Sequence, residues 1–388
     1  MSRTRYLGGA VLGALMLAPG SAFAQESFNL TFQSAYPAGD PQFLHFQEWA
    51  EDIARYSGGR LNIETLPAGA VVPAFEVLDA THDEVIDGAH AWSGFWVGKD
   101  RAAVMVSSGP AGPFGMDWSD MWGWYYQGGG LDEVNWFFQE HLELDVIWRP
   151  LLSSGAQPLG WFNREIESVE DMQGLRLRIP GIPGEMYEGM GVSVITLPGG
   201  EIVPAGERGV IDAAEFVGPW IDFALGFQDI WQIYYAPAYH EVVTVGEVLI
   251  NKSTWESLPE DLQHIYELVT EVSMLRWEQK QQRQDKIHMD RMAEDGVEFR
   301  RTPEDVLEQS LEVWHRILEE DYTTNPAFKR LVDSQLEWAS YVVPAKRILE
   351  PDFNALADLY WGPDGFIAQA EFLDFEWTVP DYYATFAE

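Results

Sequence analysis

From Phe28 to Ser34 apolar and polar residues alternate among strand formers (FNLTFQS), until Tyr36-Pro37-Ala38-Gly39-Asp40-Pro41 breaks the pattern. Helical spacing follows. Phe46, Trp49, Ile53 and Tyr56 recur three to four residues apart, which predicts a helix over Phe43 to Tyr56, closed by Gly58-Gly59. Arg60 to Leu66 returns to a strand, Val72 to Val85 to a helix, and Gly88 to Trp92 to a short strand. The alternation resumes after Leu144, with strand candidates at Asp145 to Pro150, Gln157 to Asn163, Leu175 to Ile179 and Ala213 to Phe216. Strands interleaved with helices predict an α/β fold with mainly parallel strands, most simply two α/β units joined by crossovers.

The last third is helical. Ser257-Leu258-Pro259-Glu260 has the form of an S-x-x-E capping box with Pro in the first turn. No breaker intervenes before about Ala293, so the helix would be roughly 50 Å long. Leu262, Ile265, Val269, Val272 and Leu275 give it an apolar stripe, but Glu278 to Lys286 is polar all round. A helix that outruns its apolar face bridges lobes or meets another subunit. Thr302-Pro303-Glu304-Asp305 opens the next helix, Asn325-Pro326 breaks it, and a third runs to about Val343.

The N-terminus reads as an address. Arg3 and Arg5 precede an apolar run from Leu7 to Leu17, and Ala22-Phe23-Ala24 has the A-x-A form of a cleavage site. About 11 apolar residues are too few for a bilayer, which needs roughly 20. A signal peptide at 1–24, export to the periplasm and a soluble mature chain follow as expectations. Cysteine is absent, which rules out disulfides and thiolate metal sites. The formal charge of −38 repels nucleic acid and anionic membranes. Because the acids spread along the whole chain, they suit a saline habitat better than one acidic docking face. Any site for an anion then needs concentrated positive charge.

Arg178 answers that need. It lies in Leu175-Arg176-Leu177-Arg178-Ile179-Pro180-Gly181, a short strand running into a Pro-Gly turn, with Arg176 and Arg178 on one face. A guanidinium pairs with both oxygens of a carboxylate, as Lys cannot. The plain alternative is a salt bridge to one of the many acids. A second constellation, Ile211-Asp212-Ala213-Ala214-Glu215-Phe216-Val217-Gly218-Pro219-Trp220, puts an acid and an aromatic at a strand end, where ligands collect in open α/β sheets. Glu215 could hold a hard cation, with Gln157 and a backbone carbonyl adding oxygens, or could simply be solvated. Among the abundant aromatics most are core, but Trp92, Phe95 and Trp96 follow a strand and are candidates to wall a pocket. No G-x-S-x-G, H-E-x-x-H or P-loop motif occurs, and His82, His90, His240 and His288 are isolated and read as structural or surface.

In order along the chain, VPAFEVLDA (Val72 to Ala80), GLRLRIPG (Gly174 to Gly181), LPGGE (Leu197 to Glu201), RGVIDAAEFVGP (Arg208 to Pro219) and NKSTWESLPEDLQ (Asn251 to Gln263) resemble the DctP-type periplasmic substrate-binding subunits of tripartite ATP-independent periplasmic (TRAP) transporters. The resemblance covers about 28 to 290. It implies a two-lobed, type II-like periplasmic binding protein that closes on its ligand without catalysis, with hinge crossovers, a long lobe-spanning helix and C-terminal helices. The implied division is lobe I at 25–150 plus about 238–256 and lobe II at 151–237. Residues 257–388 would pack on both lobes and are a candidate dimerisation element.

The nearest branch binds 2-oxo or 2-hydroxy monocarboxylates, such as pyruvate or lactate, with a metal ion. By that resemblance Arg178 grips the carboxylate, Gln157 contacts ligand and cation, and Glu215 with the Phe216 carbonyl holds Na⁺ or Ca²⁺, with Glu241 as a further ligand. No organic cofactor is implied; the partners are the small acid and the transporter's membrane subunits. Two departures stand out: Phe216 replaces the family's usual Trp, and Pro204 and Gly206 disfavour a regular helix after LPGGE.

The alternatives are another organic acid (a dicarboxylate or sugar acid), a secreted glycan-active enzyme, and a scaffold built on the C-terminal helices. Paired carboxylates suit sugar hydrolysis, but among 62 acids chance pairs are inevitable. N-terminal sequencing of the exported protein should begin at Gln25; a chain still starting at Met1 would remove the leader.

Overall fold

The computed structural model describes residues 26–107, 109, 110, 112, 114–353 and 355–357; the expected leader and the stretch beyond 357 lie outside the described residues. In chain order the strands begin with β1 (Phe28–Ser34), β2 (Leu61–Leu66), β3 (Gly88–Ala91), β4 (Val146–Gly155) and β5 (Gly160–Phe162). They continue with β6 (Arg176–Arg178), β7 (Ser193–Ile195), β8 (Ala213–Ala214), β9 (Ile233–Ala236), β10 (Thr244–Asn251) and β11 (Glu298–Arg301). Two sheets result, ordered β2-β1-β3-β10-β4 and β11-β9-β5-β8-β6-β7.

Both sheets are mixed, which corrects the expectation of mainly parallel strands. β1 lies parallel to β2 and β3, but β10 runs antiparallel to β3 and β4. β6 is parallel to β7 and β8, whereas β5 opposes β8 and β9. The cause is the passage between sheets. The chain leaves the first sheet through β4 into β5 and returns through β9 into β10, so outgoing and returning strands share one antiparallel ribbon. Register shifts interrupt that ribbon between Thr244 and Val245 and between Gly246 and Glu247, and such irregularities re-aim side chains.

Asp40 caps the first helix, Pro41–Tyr56, its carboxylate accepting from Gln42 N at 2.7 Å. Phe46, Trp49 and Ile53 are buried as the spacing requires, while Tyr56 is exposed. The expected helix over Val72 to Val85 shrinks to Val77–His82 after a single 3₁₀ turn. The expected irregularity after LPGGE is overturned as well: Gly199–Glu207 is helical through Pro204. Pro204 deprives only the carbonyl of Gly200, an exposed residue, while Ile202 and Ala205 are buried and fix the turn.

The long helix spans Glu260–Glu294, 35 residues, but its capping box does not form. Ser257 ends the preceding short helix, its hydroxyl donating to Thr254 O, and Pro259 begins the long one. The polar middle is not solvated on every side. Gln281, Gln284 and His288 are buried, continuing the face of Tyr266, Met274 and Trp277. Trp277 Nε1 donates to Ser153 O (2.5 Å) and Gln281 Nε2 to Ser154 O (2.7 Å), both on β4 where it leaves the first sheet. Asp285 accepts from Trp220 N on the second lobe at 3.1 Å. The polar stretch therefore bridges the lobes by binding backbone. No helix among the described residues is long and apolar enough to cross a membrane.

One acid is buried away from any cation. Glu247 on β10 is fully enclosed; its Oε2 accepts from Ser93 Oγ and from Trp148 Nε1 (2.6 Å), and its Oε1 has no partner among the described residues. Burial pushes its carboxyl from 4.5 up to about 7, against the pull of those two donors. The folded state therefore holds a proton that the unfolded chain has lost between pH 4.5 and about 7, and stability falls as pH rises through that window. Relative to Glu247→Gln, the wild type should lose roughly 2–3 kcal/mol across it in urea unfolding. Parallel pH profiles for the two proteins would refute this.

Candidate functional site

β6 and β8 lie side by side with Arg178 opposite Ala214, and Glu215 N donates to Arg178 O at 3.0 Å. Both functional side chains therefore leave the same edge of the second sheet, at the carboxyl ends of adjacent parallel strands. Gly160 makes this possible: it sits at φ +111, and a Cβ there would stand 2.4 Å from Ala214 O.

Arg178 is 1% exposed. Its Nε and Nη2 donate to Leu197 O (3.0 and 2.8 Å), and Nη1 donates to Glu215 O at 2.8 Å. The ring of Phe216 lies 5.3 Å from the guanidinium carbon. A guanidinium has five N–H groups, so one on each terminal nitrogen remains, the fork that a carboxylate fills. The Glu215 carboxylate forms only a long ion pair, Oε2 lying 3.8 Å from Nη1 without a hydrogen bond. Arg176 behaves differently: half-exposed, it pairs with Asp212, donating from Nε at 2.8 Å.

Oxygen atoms gather beside the arginine. Gln157 N donates to Glu241 O (2.8 Å) and Gln157 Nε2 to Ser154 Oγ (3.2 Å), while its Oε1 is buried without a partner among the described residues. Glu215 Oε1 is equally unpaired, and Glu241 accepts from Thr244 Oγ1 at 3.2 Å. Burial drives the Glu215 carboxyl well above its usual range despite Arg178, and burial with Glu215 nearby lifts Glu241 to about 8. Two enclosed carboxyls and an unpaired amide oxygen fit a hard cation, which would relieve both acids. Among the described residues no group of three or more His, Cys, Asp or Glu could hold a metal, so amide and backbone oxygens would have to complete any ligand set here.

The first lobe closes the site. Tyr36, Gln42, Trp92, Phe95, Leu152, Ser154, Thr244 and Gly246 face Arg178, Pro180, Glu215, Phe216 and Val217 across a cavity of about 30 Å³, with Gln157 and Glu241 on the crossovers. A Cβ at Gly181 would lie 3.1 Å from Gly94 O and 3.4 Å from Trp92, so the lobes are shut. Trp92 Nε1 is buried and unpaired among the described residues. Trp96, expected in this wall, is not there: its indole donates to Phe75 O at 3.2 Å and packs edge-to-face on Phe138 within the core. Trp92 and Trp96 are four residues apart, but the 3₁₀ turn Ser93–Trp96 rotates the second away.

Sequence reasoning missed several residues of the site. Tyr36 reaches the cavity from the loop after β1 and Gln42 from the first turn of the first helix. His240, set aside as isolated, lies fully buried with Nε2 3.9 Å from Glu215 Oε1, and Tyr187 OH meets its Nδ1 at 2.7 Å. Burial lowers this imidazole to about 4, so it is neutral. Its signal was adjacency to Glu241; Tyr187 carried none. A larger open groove of about 760 Å³ lies elsewhere, along Met105, Phe114, Leu311 and Trp314, without a comparable convergence of polar atoms.

A sequence profile for DctP, a bacterial extracellular solute-binding protein of family 7, matches residues 32–325. A monocarboxylate 2-oxoacid-binding periplasmic protein of Nostoc sp. is 32% identical over 324 residues, covering 84% of this chain and 87% of that one. A TRAP periplasmic solute-binding protein from Colwellia psychrerythraea, with bound calcium and pyruvate, is similar at a TM-score of 0.78 and 26% identity, over 86% of this chain and 100% of that one. Another from Pseudoalteromonas atlantica, with bound sodium and pyruvate, gives 0.77 and 25%, over 84% and 98%. With the profile spanning most of the described residues and the two-lobed α/β architecture shared, this chain belongs to the DctP family of bacterial extracellular solute-binding proteins.

Proposed function

We propose that this protein captures a small 2-oxo or 2-hydroxy monocarboxylate, such as pyruvate or lactate, together with Na⁺ or Ca²⁺, and delivers it in the periplasm to the membrane subunits of a TRAP transporter. One observation carries the reading: a fully buried arginine with two N–H groups left over faces a shut interlobe cavity. The cavity is far smaller than the open groove along Met105 and Trp314, which favours a three-carbon acid over a sugar acid.

In this reading Arg178 fixes the carboxylate, Gln157 touches ligand and cation, Glu215, Glu241 and the Phe216 carbonyl hold the cation, and Trp92 and Phe95 exclude water. No chemistry on the ligand is assigned. The boundary expected at 150/151 moves to the end of β4 at Gly155, because β4 belongs to the first sheet: lobe I is taken as 25–155 plus about 238–256, lobe II as 156–237, and the remainder as a mainly helical region over both, with β11 joining the second sheet. The exposed Tyr341, Ile348, Leu349 and Phe353 support a homodimer through the last helix.

Titration calorimetry of the purified protein with pyruvate tests the core of this. Arg178→Ala should lower affinity by about two orders of magnitude or more, the worth of two hydrogen bonds to a charged group, while the protein stays folded. Chelation of calcium in sodium-free buffer should weaken wild-type binding and leave Glu215→Gln little changed. Undiminished pyruvate affinity in Arg178→Ala would remove the anchor and the reading with it.

A further inference from the structure

Tyr187 belongs to the helix Gly181–Glu188 of the second lobe, and His240 to the crossover between β9 and β10. Both are fully buried, in edge-to-face contact at 5.5 Å, with Tyr187 OH 2.7 Å from His240 Nδ1. The other ring nitrogen, Nε2, has no hydrogen-bond partner among the described residues and points 3.9 Å from Glu215 Oε1, itself unpaired. A neutral imidazole carries one proton. If Tyr187 donates its O–H to Nδ1, the proton sits on Nε2 and faces the carboxylate. The reverse tautomer would aim the Nε2 lone pair at a carboxylate that must be ionised to hold a cation, two acceptors facing each other away from water. Glu215 thus has Arg178 3.8 Å from one oxygen and His240 3.9 Å from the other, each just beyond bonding length.

We propose that Tyr187 and His240 are positioning residues for the cation subsite: Tyr187 fixes His240 as the Nε2–H tautomer, and His240 orients Glu215 so that its carboxylate meets the cation. The inference rests on the cation-assisted reading above and adds to it how the carboxylate is aimed. It follows the general behaviour of metal sites, where outer partners set ligand orientation and their loss weakens metal binding about 10–100-fold. Because the pair spans the second lobe and a crossover, it also ties the aim of Glu215 to the placement of the chain segment that carries Glu241.

Two measurements decide it. Nitrogen-15 NMR of histidine-labelled protein, with the His240 signal assigned by its loss in His240→Gln, should show the Nε2–H tautomer in the presence of calcium, with or without pyruvate. In calorimetry, Tyr187→Phe and His240→Leu should each weaken calcium-dependent pyruvate binding about tenfold, with pyruvate affinity recovering at saturating calcium. His240→Gln, whose amide nitrogen can stand where Nε2 stands, should recover most of that loss, and Tyr187→Phe should add nothing in a Glu215→Gln background. An Nδ1–H tautomer, or unchanged calcium dependence in Tyr187→Phe, overturns the positioning role alone. Loss of only one hydroxyl keeps that variant informative even where His240→Leu fails to fold. Failure of the wild type to bind pyruvate at all would strike the transport reading, while the tautomer measurement would still decide this one.

Discussion

A guanidinium taken out of water, with its carboxylate neighbour Glu215 held at 3.8 Å, beyond hydrogen-bond length, is the constraint around which the rest of this molecule is arranged. Removing a charge from water costs several kcal/mol even after relaxation. Arg178 offsets part of that by giving three hydrogen bonds to the carbonyls of Leu197 and Glu215, which satisfy N–H groups without cancelling charge. The demand for an anion therefore survives burial. Glu215 and Glu241 are the converse case: burial pushes both carboxyls toward the protonated form, and in the proposed reading a cation takes the place of those protons. A carboxylate and a metal ion arriving together answer both, and neither alone would leave the cavity balanced. Because the walls come from two lobes, that balance is available only when they close, which gives a ligand the differential affinity it needs to shift the lobes toward the shut state.

The hinge and its brace are made of the same ribbon. β4 and β10 pair antiparallel through two register shifts, and Thr244, just before the first, and Gly246, just before the second, face the cavity. Where β4 leaves its sheet, the carbonyls of Ser153 and Ser154 accept from Trp277 and Gln281 of the long helix. This explains a helix face that is buried yet polar. Its partners are backbone groups at a place where regular sheet pairing gives out, and a hydrocarbon surface would have left them unsatisfied. Closure and helix packing thus share residues, and Ser154 serves both, through its carbonyl to Gln281 and its hydroxyl to Gln157.

Much of the scaffold was legible from local pattern. The strand Phe28–Ser34 ends where alternation ends, and the long helix runs almost as far as its breakers allow. Arg178 and Glu215 could be singled out because each sits at a strand end before a Pro or Gly turn. Local rules failed where neighbours in space outweighed neighbours in sequence. Pro204 stays helical because Ile202 and Ala205 are buried beneath it, and Ser257 caps nothing because the turn before it is already helical. Trp92 and Trp96 are alike in sequence context, yet only the first reaches the cavity.

By itself, then, the sequence determined the alternation of strands and helices, the places where they stop, and the residue types able to hold an anion and a cation, since these depend on torsional preference and on chemistry carried within a few residues. The tertiary structure alone decided the antiparallel return of β10, the closeness of Tyr187, His240 and Glu215, and the 3.8 Å that separates Arg178 from Glu215. Those are distances between segments far apart along the chain, fixed by how two lobes pack across a shared ribbon, and no local periodicity records them.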